Sequence, residues 1–104
     1  MNDSEKRRRL LKFLDERVFR PILDSPPRDT PDAAFFREAQ NKVRRTWIRY
    51  PEKYPTASAI KHAFLSDLQS PVGQHLAEML QWFNFSRFED IRDEFLHLCD
   101  ELEV

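Results

Sequence analysis

The side chains of this chain that could bind a metal ion are one cysteine, three histidines and one Glu-x-x-His pair: His62, His75, Glu94, His97 and Cys99. His97 and Cys99 are two positions apart, a spacing that on a helix directs the two side chains to different faces. Glu94 and His97 have the spacing found in di-iron helical bundles, but that site needs a second such pair and the sequence has none. We therefore expect neither a metal centre nor a cofactor.

The sequence offers equally little support for catalysis. Cys99 falls on the inward side of an amphipathic helix, where a buried thiol that serves packing is the ordinary interpretation. Most carboxylates of the C-terminal half share one outward helix face, without the apolar surroundings that favour a general acid. Gly73 is the single glycine, and loops that cradle phosphate groups need several. The chain is therefore predicted not to be an enzyme.

The elements that carry these residues are predicted to be helices. Apolar residues recur with a period of about 3.6, seven prolines interrupt the pattern, and one glycine gives little support for tight β-hairpins. With 104 residues, 40% of them hydrophobic and 34% charged, the chain suits one soluble domain. We predict an all-α fold over residues 1–104, a single compact bundle of about five helices joined by short proline-containing loops.

Two long helices are predicted in the first half of the chain. The first begins near Asp3 or Ser4 and runs to about Arg20, where Pro21 should end or kink it. The second follows a proline-rich loop and is signalled by residues 30–32, Thr-Pro-Asp. Threonine caps free amides, proline suits the first helical position, and an acid suits the positive end of the helix dipole. This helix is expected to end at residue 49 or 50.

Three more helices are predicted after the YPEKYP connector. The third predicted helix begins at a threonine or serine cap, Thr56 or Ser58, and the fourth at a cap followed by proline, Ser70 with Pro71. The fifth begins at a Ser-x-x-Glu capping box, Ser86 with Glu89. The residues expected to face the core are Leu10, Leu14 and Val18 in the first helix, Phe36, Ala39, Val43, Trp47 and Tyr50 in the second, Ile60, Ala63, Phe64 and Leu68 in the third, Val72, Leu76, Met79, Leu80 and Phe83 in the fourth, and Phe88, Ile91, Phe95, Leu98 and Leu102 in the fifth.

Charge is unevenly distributed along the chain. Residues 1–62 contain 15 Lys or Arg and 9 Asp or Glu, whereas residues 63–104 contain 2 and 9, so a net charge of −1 conceals a dipolar molecule. Opposite its apolar stripe, the second predicted helix carries a basic face of five cations: Arg37, Lys42, Arg44, Arg45 and Arg49. Glu38 is the one acid of this face, and Ile48 lies among its cations. The fifth carries an acidic face: Glu89, Asp90, Asp93, Glu94, Asp100 and Glu101.

The two faces have more than one interpretation. They are either ordinary solvated surfaces, which could pair with each other inside the monomer, or sites that recognise a charged partner. An apolar residue surrounded by arginines, such as Ile48, is typical of a protein docking surface. Leu96, beside the stripe of the fifth helix, is expected to be exposed as well. Tyr54 in the connector joins the candidate binding residues as the aromatic best placed to stack on a partner.

The run KRRR at residues 6–9 supports a second function class. Four cations in the opening turns of a helix oppose its macrodipole, so either residues 1–5 fray or these cations serve something other than stability. Together with the basic face, they resemble the cationic footprint of a nucleic-acid-binding protein. Trp47 and Tyr50 are expected to turn inward, which leaves Tyr54 to stack on a base.

The function expected from the sequence is a small non-catalytic binding module, regulatory in role. It would contact an unidentified protein, or a second copy of itself, through the basic and acidic faces. The alternative is a nucleic-acid-binding accessory protein that uses residues 6–9 and the basic residues of 37–53. No segment approaches the roughly 18 to 20 apolar residues of a membrane span, and a lone cysteine suits a reducing compartment. A cytoplasmic protein without a membrane partner is therefore expected.

Overall fold

The computed structural model describes residues 1–24, 33–49, 51–69 and 88–104. Five α-helices lie in these ranges: α1 (Asp3–Leu14), α2 (Arg20–Leu23), α3 (Ala33–Val43), α4 (Ala57–Gln69) and α5 (Phe88–Glu101). Three further turns extend or connect them: a first π turn between α1 and α2 (Asp15–Phe19), a second π turn after α3 (Arg44–Ile48) and a 3₁₀ turn before α4 (Pro51–Lys53). The described residues contain no β-strand, and the predicted all-α fold is confirmed.

The first helical segment begins at residue 3 and ends later than predicted. Asn2 caps it, because its side-chain oxygen accepts a hydrogen bond from the Glu5 amide over 2.9 Å. Helical structure then continues through Pro21 to residue 23, so an end at this proline was wrong. In the π turn just before it, the Arg20 amide donates to the Asp15 carbonyl. This wider turn leaves room for the proline ring beside the preceding carbonyl groups.

The predicted inward faces of the second and third helices are confirmed wherever their side chains are described. Ala39, Val43 and Trp47 are buried along α3 and its π turn, which ends at residue 48. In α4, Ile60 and Phe64 are buried and Ala63 is half-buried. Of the two proposed caps for α4, Thr56 is the one observed, because its Oγ1 accepts a hydrogen bond from the Ala59 amide over 3.0 Å.

The C-terminal helix closes the core. Ile91, Phe95, Cys99 and Leu102 are buried, and Phe95 and Cys99 are fully so. The Phe95 ring centroid lies 4.7 Å from that of Phe64 in α4 and 6.0 Å from that of Phe13 in α1. Ring pairs of this kind contribute about 0.5–1.5 kcal/mol beyond the burial of their area. The Phe95 ring of α5 therefore contacts both α1 and α4.

Long-range contacts fix the relative directions of α1, α4 and α5. The Asp3 carboxylate accepts a hydrogen bond from the Ala57 amide over 3.3 Å, which places the N-terminal ends of α1 and α4 side by side. The Lys61 ammonium donates to the Val104 carbonyl over 3.0 Å. The start of α4 therefore meets the end of α5. α1 and α4 run parallel, and α5 runs antiparallel to both.

α3 also runs antiparallel to the pair formed by α1 and α4. The Gln40 side chain donates to the Ile22 carbonyl over 3.0 Å, and Trp47 packs on Phe19 with ring centroids 5.2 Å apart. Later residues of α3 thus meet earlier residues of the first helical segment. The radius of gyration, 13.6 Å, is close to the value of about 13 Å expected for a compact chain of this length.

Several predictions lie outside the described residues. They include the start signals of three predicted helices: Thr30 and Pro31 for the second, Ser70 and Pro71 for the fourth, and Ser86 for the fifth. The whole fourth predicted helix, residues 71–84, also lies outside them. So do four side chains predicted to face the core: Phe36, Tyr50, Leu68 and Phe88.

Candidate partner-binding surface

Four arginines of the basic face are exposed: Arg37, Arg44, Arg45 and Arg49. Arg44 Nη1 donates to Asn41 Oδ1 over 3.3 Å, and Arg45 Nη2 lies 3.1 Å from Glu38 Oε1. Both contacts stay within the same helical segment and hold the guanidinium groups at its surface. In the described part of the chain, no ion pair connects these four arginines to another helix. All four guanidinium groups therefore stay at the surface of their own helical segment, where Glu38 partly compensates the charge of Arg45.

Ile48 is the apolar centre of this basic face. Ile48 is 47% exposed. Among the large apolar residues that the structure describes, only Met1 is more exposed. Ile48 lies four positions after Arg44 and three after Arg45, so the guanidinium groups flank it on the helix surface. The second π turn, which contains Ile48, is closed by the 2.7 Å hydrogen bond from the Arg49 amide to the Arg44 carbonyl. Ile48 is the exposed apolar residue of this turn, beside the exposed Arg44 and Arg45.

Lys42 differs from the arginines predicted to share its face. Its ammonium lies 3.9 Å from the Asp67 carboxylate of α4, and both side chains are largely covered. This ion pair connects α3 to α4. Lys42 therefore serves the fold, and the outward position expected for it was wrong. Asp67 was not predicted as its partner, because nothing in the order of residues indicates which helix α3 packs against.

Tyr54 is half-buried beside the buried Trp47 rather than projecting into solvent. The two ring centroids are 4.9 Å apart, and Lys53 Nζ lies 5.7 Å from the Tyr54 ring centroid. Burial, and secondarily the charge of Asp67, raises the pKa of the Tyr54 hydroxyl. The Tyr54 ring therefore already contacts Trp47 and Lys53, and this reduces the surface that it offers to a base or a peptide.

The basic run at residues 6–9 is divided between the fold and the surface. Arg7 Nε donates to the Tyr54 carbonyl over 2.8 Å, next to the hydrogen bond that joins Asp3 to Ala57. Arg8 and Arg9 are exposed. An open depression of about 490 Å³ lies along this part of α1. The first turn of α1 is thus docked on the start of α4, and part of the run serves that docking.

The acidic face of α5 is also at the surface, with all six predicted carboxylates exposed: Glu89, Asp90, Asp93, Glu94, Asp100 and Glu101. Glu94 pairs with Arg17 of the first π turn, Asp93 with the adjacent Arg92 at 3.6 Å, and Glu101 with His97 at 3.2 Å. Leu96 is half-buried, so the exposed position expected for it was wrong.

The helices that carry the basic and acidic faces, α3 and α5, contact α4 at different positions around its axis. α3 contacts α4 through Asp67 and α5 contacts it through Lys61. These residues are six positions apart, which on a helix of 3.6 residues per turn separates them by about 120° around the axis. The ion pairs that α3 and α5 form with the rest of the described molecule, Lys42 with Asp67 and Arg17 with Glu94, do not join the two faces to each other.

The described residues contain no cluster of metal-binding side chains. No three His, Cys, Asp or Glu side chains within the described ranges come close enough together to hold one ion. Burial raises the pKa of the Cys99 thiol, an effect that nearby Lys61 opposes and Asp100 reinforces. A raised pKa disfavours the thiolate that a nucleophilic cysteine needs. None of the described helices combines the length and the apolar character that a bilayer crossing requires.

Comparisons with protein-family models, with curated protein sequences and with solved structures give no match to this chain.

Proposed function

We propose that this protein is a small non-catalytic binding module, regulatory in role and cytoplasmic, that contacts a protein partner through the basic face of α3 and its π turn. The observation that carries the proposal is the half-exposed Ile48 among the exposed Arg44, Arg45 and Arg49. A partner would cover the apolar side chain and meet the surrounding cations with carboxylates.

This combination of residues suits a protein interface better than a phosphate track. Arginine is enriched at protein interfaces, and a small apolar centre surrounded by polar groups is their usual anatomy. The arginines lie on a helical segment that Trp47 anchors in the core, so little backbone freedom would be lost on binding. The expected partner surface is acidic with an apolar contact point.

The packing of the aromatic residues counts against the alternative of single-stranded nucleic acid. Such proteins stack bases on accessible aromatic rings. Trp47 is buried, and Tyr54 already packs against it. Among the side chains described in this segment, none presents a fully free ring. Phosphate contacts alone would give binding without sequence preference.

Affinity purification from the native host, after nuclease treatment, tests the proposal. The bait carrying Arg44→Glu, Arg45→Glu and Arg49→Glu is compared with wild type by quantitative mass spectrometry. A matched control carries Arg8→Glu, Arg9→Glu and Lys12→Glu, which makes the same change in formal charge at exposed positions of α1. We expect the first variant to retain about tenfold less partner than wild type, or less still. The control should retain as much partner as wild type.

Two outcomes would contradict the proposal. Equal retention by both variants would remove the basic face from the interaction. Nucleic acid co-purifying without nuclease, with binding that weakens steeply as salt rises and is lost in both variants, would instead support the nucleic-acid alternative. Circular dichroism of each bait establishes that a loss of binding does not reflect a loss of helix.

A further inference from the structure

We propose that the partner of the basic face is a second copy of this chain, bound head to tail through its acidic face on α5. This inference depends on the proposed function, because it names the partner of the same surface. Each molecule would then use its basic face on one neighbour and its acidic face on another.

The two faces match in charge, length and apolar content. Twelve positions separate Arg37 from Arg49, and twelve separate Glu89 from Glu101. Each row of charges is therefore about 18 Å long at roughly 1.5 Å per residue. The exposed charges of the first row are mainly cations, with Glu38 as an acid among them, and those of the second row are mainly carboxylates, with Arg92 as a cation among them. The two helices can thus lie against each other with cations facing carboxylates.

Each face also has one apolar residue among its charges. Ile48 follows Arg44 and Arg45 by four and three positions. On α5, the half-buried Leu96 follows Asp93 by three positions and precedes Asp100 by four, so these carboxylates flank it. Docking would bring the exposed parts of two branched apolar side chains together inside a border of ion pairs, as in the centre and rim of a protein interface.

The positions of the faces explain why the pairing would occur between molecules. The helices that carry them contact α4 at different positions around its axis, and the described ion pairs of α3 and α5 connect them to α4 and the first π turn instead of to each other. Because each face binds a different neighbour, the contact is heterologous. The expected assembly is a ring or an open chain that grows with protein concentration.

Salt should control this association strongly. The charges concerned are exposed, and interactions between exposed charges are screened beyond about 30 Å at 0.01 M ionic strength but beyond about 3 Å at 1 M. Sedimentation velocity of the purified protein over a concentration series at these two ionic strengths tests this. We expect species larger than a monomer at low salt, and the monomer at high salt.

A charge-swap experiment tests which surfaces meet. The basic-face variant is Arg44→Glu, Arg45→Glu and Arg49→Glu. The acidic-face variant is Asp93→Lys, Asp100→Lys and Glu101→Lys, which spares Glu94 because it pairs with Arg17 and spares the acids of the first helical turn, which favour helix formation. In the first variant both faces are mainly acidic, and in the second three lysines stand beside the three retained acids, so that the face no longer carries a net negative charge. We expect each to remain monomeric at low salt, and an equimolar mixture to associate.

Any of three results would overturn the inference: a monomeric wild type at low salt, a single variant that associates as wild type does, or a mixture that stays monomeric. The single substitutions Arg49→Glu and Asp100→Lys serve if a triple variant fails to fold. A monomeric wild type whose retention of another host protein still depends on the arginines would overturn self-association and leave the proposed function intact.

Discussion

Replacing Ile48 by alanine measures what the apolar centre of the basic face contributes to association. Complete burial of an isoleucine side chain contributes about 1.5–3 kcal/mol, and 47% of this side chain is exposed in the monomer. Covering that exposed part would therefore contribute about 0.7–1.4 kcal/mol. Since about 1.4 kcal/mol corresponds to a factor of ten, the association constant should fall about 3- to 10-fold.

The assay is sedimentation equilibrium of the purified protein at low salt, where ion pairing is least screened. Leu96→Ala removes the corresponding apolar contact on the other face and should weaken association in the same direction. Leu11→Ala is the control, because this side chain on α1 is also half-buried but lies outside both faces. Urea unfolding of each variant measures its folding stability separately.

Two results would refute this reasoning about Ile48. If Ile48→Ala associates as strongly as wild type, the interface is purely electrostatic or lies elsewhere. If Leu11→Ala weakens association as much as Ile48→Ala does, the effect comes from lost stability rather than from a lost contact. A fall of more than about a hundredfold would also be too large for one half-exposed side chain.

Three further predictions concern the fold. Phe95→Ala removes a fully buried ring and both of its ring contacts, and should lower the free energy of unfolding in urea by about 3–5 kcal/mol. Thr56→Ala should cost about 0.5–2 kcal/mol through the lost cap on α4, whereas Ser58→Ala should cost less than about 0.5 kcal/mol. Burial raises the pKa of Cys99 in the folded state above its ordinary value of 9.0. The stability linked to this thiol is therefore complete below the unfolded-state pKa and is lost as pH rises through the folded-state pKa. Across this alkaline range, the free energy of unfolding should therefore fall less steeply with pH for Cys99→Ala than for wild type.

Features that depend on neighbouring residues in the chain were predictable from the sequence. The 3.6-residue period correctly placed Val43 and Trp47 inward on α3, and Phe95 inward on α5. The cap at Thr56 is equally local, because a threonine oxygen reaches an amide three residues later. These signals are local because an isolated helix already determines which side chains share a face.

Contacts between distant residues were not predictable in the same way. Lys42 shares the basic stripe by sequence, yet its ammonium approaches Asp67, twenty-five positions later. Arg7 likewise meets the carbonyl of Tyr54. Both depend on which helices pack together and in which direction, and the helical period contains no information on either. The exposure of Ile48 was predicted, but the π turn that contains it is not signalled by residues 44–48.

The two π turns also indicate where this chain can change its length. A π turn contains more residues than an α turn of the same helix, so losing one residue within 44–48 would let the second turn relax to ordinary α-helical geometry. The first turn is expected to keep its length, because it accommodates Pro21. A deletion in the middle of α4 or α5 would instead rotate every later side chain by about 100°. Homologous chains that are one residue shorter are therefore expected to have lost it within 44–48.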